Sequence, residues 1–80
     1  MKIKLLNGSF DQADAIRIIT SMIEVKIKFH EDKIHSSSVE EDIKMRENRI
    51  RLLQQDLQDV RAHLNDRKKV SLSAEMTISE

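Results

Sequence analysis

The sequence predicts a mainly α-helical fold with two short strands, in β-α-α-β order, built around a long antiparallel helical hairpin. Two observations predict the helices: the chain contains a single Gly and no Pro, and its apolar residues recur at spacings of three and four over two long stretches. A third observation predicts the strands, because apolar and polar residues alternate near both ends of the chain. We treat residues 1–80 as one domain, since a chain of this length supports at most one core.

The first strand is predicted over residues 2–6 and the first helix over residues 10–35. The intervening residues Asn7-Gly8-Ser9 form the strongest turn signal in the chain. Ser9 is followed three residues later by Gln12, which is the spacing of a capping box. We therefore expect the strand to end at the turn and the helix to begin directly after it.

The second helix is predicted over residues 38–68. The serine run at residues 36–38 favours a helix start over a helix interior, because serine hydroxyls compete for backbone hydrogen bonds. Ser37 and Ser38 are each followed three residues later by a Glu, which again fits a capping box. Acidic residues then open the helix and basic residues close it, as the helix dipole favours.

The final strand is predicted over residues 70–78, where the period changes from helical to two. The apolar members of the alternation are Val70, Leu72, Ala74, Met76 and Ile78. A period of two with one polar face is typical of a strand at a sheet surface. The alternative is a frayed, disordered C-terminal tail.

Each predicted helix carries an apolar stripe, and the two stripes together predict the hairpin. The second helix has a coiled-coil heptad seam that only Arg46 interrupts, whereas positions in the first helix recur after eleven residues. The predicted hairpin core consists of Ile16, Ile19, Ile23, Ile27, Ile50, Leu53, Leu57, Val60 and Leu64. Because the connection is short, the helices should be antiparallel, with facing residue numbers that total roughly 73.

Arg46 is the polar exception in the seam, and two roles for it remain open. Its methylenes could cover Ile27 while the guanidinium reaches Glu24 or Glu31. Alternatively, it fixes the register or the choice of partner, as polar seam residues do in some coiled coils. His30 lies within the apolar arc of the first helix, where we expect a half-buried seam residue rather than a catalytic one.

The first helix also carries a second apolar stripe, which one partner helix cannot cover. This stripe consists of Ile18, Met22, Val25 and Phe29. The two stripes together span roughly 200° of the helix surface, far more than one hairpin seam. Either the sheet face of the chain's own two strands or a second copy must cover the stripe, and we expect the second: a homodimer with this stripe as its interface. Two hairpins would then form a four-helix bundle, and the strands of both copies would share a small antiparallel sheet.

The sequence offers no frame for catalysis or for cofactor binding. The chain has no Cys, Trp or Tyr and only one Gly, which excludes thiolate metal sites, phosphate-binding glycine loops and aromatic-lined pockets. Its three His residues show neither His-x-x-x-His nor Glu-x-x-His spacing. We therefore predict no catalytic residue, no metal and no cofactor.

The predicted function is a non-catalytic protein-interaction or assembly module, acting as a small oligomer in the cytoplasm with a protein partner of unknown identity. The chain has 14 basic and 14 acidic residues, so its formal net charge of zero gives no general attraction to nucleic acid or to anionic membranes. No apolar segment has the length of a membrane span or a signal peptide. The alternative is a small nucleic-acid-binding regulator, of the antitoxin or repressor-accessory type, that uses the combined basic end of a dimer. The possible nucleic-acid contacts are Arg67, Lys68 and Lys69.

Overall fold

The computed structural model describes residues 1–80 and contains two helices and one two-stranded antiparallel sheet. In chain order the elements are β1 (Lys2–Asp11), α1 (Gln12–Ser36), α2 (Glu40–Leu64) and β2 (Lys69–Thr77). The predicted mainly helical β-α-α-β order is therefore confirmed. The Cα atoms occupy a flat slab of 45 × 32 × 13 Å. Neither helix combines the length and the apolar character that crossing a membrane requires.

Strand β1 is longer than predicted, and its length moves the start of α1. The strand predicted to end at residue 6 continues to Asp11, and the helix predicted from residue 10 begins at Gln12. Residues 7–9 do not form a turn, because each of them faces a β2 residue in the antiparallel ladder. The pairing of the whole strand holds them extended and so outweighs their local preference for a turn.

Gln12 occupies the junction between the strands and the helices. The N-cap of α1 is Asp11, whose side chain makes no capping hydrogen bond, so the predicted capping box from Ser9 to Gln12 is wrong. The Gln12 backbone N–H instead donates to the carbonyl of Lys68 at 3.0 Å. Its side-chain amide donates to the carbonyls of Leu64 and the following residue. Gln12 therefore ties the start of α1 to the end of α2.

The C-terminal half of the chain follows the prediction more closely. Helix α2 covers Glu40–Leu64 rather than residues 38–68, because a turn at residues 65–68 carries the chain into the second strand. Strand β2 covers Lys69–Thr77, where the alternation predicts a strand over residues 70–78. The alternation thus marks a paired strand and not a frayed tail.

The two strands form a ribbon with one apolar face. The ladder pairs Phe10 with Val70, and a bulge at Leu5 shifts the register in the N-terminal part of β1. We call the apolar side the inner face. It consists of Ile3, Leu6, Gly8, Phe10, Val70, Leu72, Ala74 and Met76. The intervening polar residues lie on the opposite face and are exposed to solvent.

The two helices pack antiparallel, with a register that differs from the predicted one by about one helical turn. The side chain of His30 contacts that of Arg46, and the side chain of Gln12 contacts the carbonyl of Leu64. In each of these facing pairs the two residue numbers add up to 76. The predicted pairing totals roughly 73 because it folds the chain back too early. The connection lies at residues 37–39, between the end of α1 and the start of α2.

Very few side chains are buried when the ribbon and the helices come together. Only Ala15, Leu53 and Leu64 are buried, with exposures of 0%, 8% and 6%. Domains of this size are marginally stable even with a closed core. The stability of the single chain therefore depends strongly on each of these three side chains.

We expect Leu53→Asp to unfold the hairpin. The substitution places a charge at one of the two buried positions of α2, at a cost of about 3 kcal/mol or more, close to the whole stability of a domain this small. Leu52→Asp is the matched control, because Leu52 is 49% exposed and one residue away. The control should cost about 1 kcal/mol or less, mainly through helix propensity. Urea unfolding followed by circular dichroism measures both, and equal costs would contradict the burial of Leu53.

We expect Thr20→Val to stabilise the chain by about 1 kcal/mol. The Thr20 Oγ1 atom is buried and has no hydrogen-bond partner, and valine replaces it with a methyl group of similar shape. Thr20→Ser is the matched control, since serine keeps the hydroxyl and loses a methyl contact, and it should destabilise. Thermal melts of the three proteins test the expected order of stability, with the valine variant above the wild type and the serine variant below it. A valine variant less stable than the wild type would mean that the hydroxyl has a partner.

Candidate functional site

An apolar groove lies between the inner face of the ribbon and the helices. It encloses about 640 Å³, and nine of its twelve lining residues are hydrophobic. The ribbon contributes Leu6, Leu72, Ala74 and Met76 to its lining. The opposite wall includes Met22 and Val25 of α1. The ribbon makes few close contacts with α1, so the groove stays open to solvent.

The predicted interface stripe of α1 is divided between two environments. Met22 and Val25 line the apolar groove, where they are 39% and 70% exposed. Ile18 is half-buried. Phe29 is 52% exposed but lies outside the groove, near the connection between the helices. The single chain therefore leaves three of the four stripe residues uncovered.

The predicted hairpin-core residues all lie on the shielded sides of the helices. Leu53 and Leu64 are buried. The other seven are half-buried: Ile16, Ile19, Ile23, Ile27, Ile50, Leu57 and Val60. Ile19, Ile23 and Leu53 also line the apolar groove, so the hairpin seam forms part of the groove floor.

Arg46 joins the two helices near their connection. Its Nε donates to Oδ2 of Asp42, one turn earlier on α2, at 3.3 Å. Its Nη1 lies 3.1 Å from Nδ1 of His30 on α1, and its guanidinium carbon lies 5.7 Å from the centre of the Phe29 ring. The Arg46 side chain is only 18% exposed. We call these four residues the Arg46 cluster.

The Arg46 cluster can hold the helices in register. A guanidinium group has donors only, so Nδ1 of His30 must accept the hydrogen bond from Arg46. The side chain does reach α1, but the expected salt bridge with Glu24 or Glu31 is absent and Asp42 takes that place. Of the two roles considered for Arg46, this geometry favours the one that fixes register.

The three predicted nucleic-acid contacts lie beyond the end of α2, in the turn at residues 65–68 and at the start of β2, and two of them have acidic neighbours. The Arg67 Nε lies 3.7 Å from a carboxylate oxygen of Asp66, and the Lys69 Nζ lies 3.2 Å from one of Asp11. Lys68 has no salt-bridge partner. Two of the three possible nucleic-acid contacts are therefore already paired within the chain.

The strand residues that line the groove were not among the predicted site residues, although the sheet face was one of the two candidates to cover the α1 stripe. Leu72, Ala74 and Met76 line the groove together with the α1 stripe. The alternation along β2 identifies these residues as one face of a strand. A period of two does not specify which helix that face meets, so the joint surface emerges only from the fold.

Comparison of the chain with protein-family models, with curated proteins and with solved structures finds no match. No group of three or more His, Asp or Glu side chains is placed to hold a metal ion. The candidate functional features are thus the apolar groove, the Arg46 cluster and the basic residues between α2 and β2.

We expect Arg46→Lys to destabilise the chain by about 1 kcal/mol. A lysine ammonium cannot bind Asp42 and His30 at once in the forked geometry of a guanidinium, and it loses the stacked position over Phe29. Arg49→Lys is the matched control on the exposed side of the same helix and should change stability by less than about 0.5 kcal/mol. Urea unfolding compares the two variants, and identical stabilities would show that the cluster adds nothing.

Proposed function

We propose that the chain is a non-catalytic protein-interaction or assembly module that functions as a homodimer. The observation that carries this proposal is the apolar groove, which leaves apolar side chains of α1 and β2 in contact with solvent in the single chain. Contiguous apolar surface on a small protein is typical of an interaction site. The polar lining residues are only Lys26, Asp56 and Ser73, so the groove suits an apolar partner surface.

Covering the groove would supply stability that the single chain lacks. Fully burying a side chain such as Met22 or Val25 contributes about 1.5–3 kcal/mol, and the gain scales with the fraction still exposed. In a two-fold symmetric dimer both copies contribute the same residues, which doubles the effect. This gain is large beside the few kcal/mol of net stability expected for a domain of this size.

A second copy of the chain is a suitable partner for the groove. The formal net charge is zero, so two copies meet without net repulsion. In the proposed assembly, the hairpins form a four-helix bundle with the α1 stripes inside, and the ribbons share one small sheet. The chain contains no Cys, so the assembly needs no oxidising compartment and is compatible with the cytoplasm.

Nucleic-acid binding by a dimer is the alternative function, and it has less support. It requires the basic residues between α2 and β2 of two copies to form one positive patch, yet Arg67 and Lys69 are already paired with acidic neighbours. A gel mobility shift of DNA or RNA that weakens as the salt concentration rises would favour this alternative, because protein contacts with phosphates release counterions.

We expect Met22→Glu combined with Val25→Glu to convert the homodimer into a monomer. The variant buries four carboxylates in the dimer interface, whereas both positions are accessible to water in the single chain. Sedimentation equilibrium measures the mass, and circular dichroism checks that helices persist.

Met45→Glu provides the control for this prediction. Met45 is 48% exposed on α2 and does not line the groove, so the variant should keep the mass of the wild type. An unchanged mass for the double variant would place the interface elsewhere. A monomeric wild type would contradict the homodimer itself.

A further inference from the structure

Strand β2 has a free backbone edge whose hydrogen-bonding positions are defined. At one end of the ribbon the carbonyl of Lys68 accepts from Gln12, and at the other the N–H of Ile78 donates to Met1. The even-numbered residues of β2 therefore direct their backbone N–H and C=O groups toward β1. Because these positions alternate, the odd-numbered residues direct their N–H and C=O groups outward. The outward groups belong to Lys69, Ser71, Ser73, Glu75 and Thr77.

These outward groups have no partner in the single chain. The backbone hydrogen bonds outside the regular elements include none from residues 70–77. No side chain binds this segment either. An unpaired strand edge of this length is a template for pairing with another strand.

The register of β2 is compatible with pairing to itself. When a strand pairs antiparallel with a copy of itself, the two residue numbers of every facing pair add up to the same total. Val70 with Met76, and Leu72 with Ala74, both total 146, which places Ser73 opposite itself. Inner-face residues then meet inner-face residues along the whole strand. The outward backbone groups also meet, since Ser73 is one of the positions that point to the free edge.

Strand β1 cannot pair with itself in this way. The bulge at Leu5 adds one residue to the strand. Inner-face residues are therefore odd-numbered before the bulge, as at Ile3, and even-numbered after it. Pairing Ile3 with Phe10 gives a total of 13, whereas pairing Leu6 with Gly8 gives 14. A total of 16 aligns Leu6 with Phe10 and Gly8 with itself but leaves Ile3 without a partner, so β1 cannot pair along its whole inner face and the two edges of the ribbon are not equivalent.

We propose that β2 pairs antiparallel with β2 of a second copy about a two-fold axis at Ser73. This inference rests on the homodimer proposed above and specifies how the two copies meet. The result is a four-stranded sheet in the order β1-β2-β2-β1. Both inner faces lie on the same side of that sheet, which brings the two apolar grooves together beside the axis.

The charges along β2 support this register. Glu75 faces the partner's Ser71, and Lys69 faces the partner's Thr77, so no like charges lie opposite each other. Glu75 also lies diagonal to the partner's Lys69 on the exposed face, within about 7–8 Å and in reach of a long side chain. Lys69 also contacts Asp11 of its own chain, so each dimer would add a second carboxylate beside each of the two Lys69 side chains.

Disulfide trapping tests the register directly. The chain has no Cys, so Ser73→Cys introduces a single, exposed thiol. Hydrogen-bonded antiparallel pairs have Cα atoms about 5.5 Å apart, a distance that a disulfide can bridge. Under mild oxidation we expect Ser73→Cys to shift from the monomer to the dimer band on a non-reducing gel.

Ser71→Cys is the matched control for the trapping experiment. In the proposed register Ser71 faces the partner's Glu75, and the two introduced thiols lie about 14 Å apart along the strands, too far for a disulfide. Equal cross-linking of the two variants would overturn the register.

Proline substitution tests the edge without oxidation. The Ser73 N–H points outward, so Ser73→Pro should leave the ribbon of the single chain intact and block pairing with the second copy. Ser9→Pro is the control, because Ser9 faces Ser71 in the ladder and its N–H points to the opposite edge. We expect a monomer for Ser73→Pro and a dimer for Ser9→Pro by sedimentation, with wild-type circular dichroism for both.

The outcomes separate this inference from the proposed function. A dimeric wild type whose Ser73→Cys variant does not cross-link, and whose Ser73→Pro variant stays dimeric, would overturn the β2 register but keep the homodimer. A wild type that is monomeric would overturn both. Should Ser73→Pro unfold, the trapping result alone decides, because Ser73→Cys keeps the backbone N–H.

Discussion

The side chain and the backbone of Gln12 together hold the two halves of the molecule in place. The backbone closes the strand ladder through Lys68, and the side-chain amide binds the carbonyls at the end of α2. The carbonyl of Leu64 also accepts from the N–H of Arg67, so the Gln12 amide adds a second hydrogen bond at the end of α2, where carbonyls lack partners within the helix. One residue thus fixes where both strands leave the hairpin. From the junction at Gln12, the ribbon extends with its inner face toward the helices.

The small core follows from this arrangement. A ribbon tied to the hairpin at its base, with few close contacts beyond it, cannot cover the apolar surface of α1. Met22 and Val25 remain accessible, and the apolar groove stays open. The Arg46 cluster stabilises the opposite end of the hairpin, near the connection. The two ends are therefore held by polar contacts, while the middle carries the uncovered apolar surface.

Long-period patterns in the sequence predicted the architecture well, and local signals predicted it less well. The apolar stripes and the alternation from Val70 onward extend over many residues, so both helices and β2 were identified. Residues 7–9 were assigned to a turn because their individual preferences point that way, but ladder pairing with β2 decides their conformation. A turn signal of three residues is weaker than nine paired positions.

The helix register and the candidate site show why some features could not be predicted. An apolar stripe repeats every three or four residues, so a shift of one turn preserves most apolar contacts. The contact of Arg46 with His30 distinguishes the two registers, and it depends on where the connection falls. The stripe containing Met22 and Val25 was recognised from its spacing. Its opposing wall on the ribbon depends on the direction of the strands, which no local pattern encodes.

The bulge at Leu5 has a consequence for the size to which this protein can assemble. A ribbon with two equivalent open edges could add strands without limit and grow into a cross-β fibril. The irregular backbone at Leu5 interrupts one edge, and the charges of Lys2 and Lys4 on the same strand discourage further addition there. If β2 pairs with β2 of a second copy as proposed, the interrupted β1 edges are the only edges left, and strand addition would stop at the dimer.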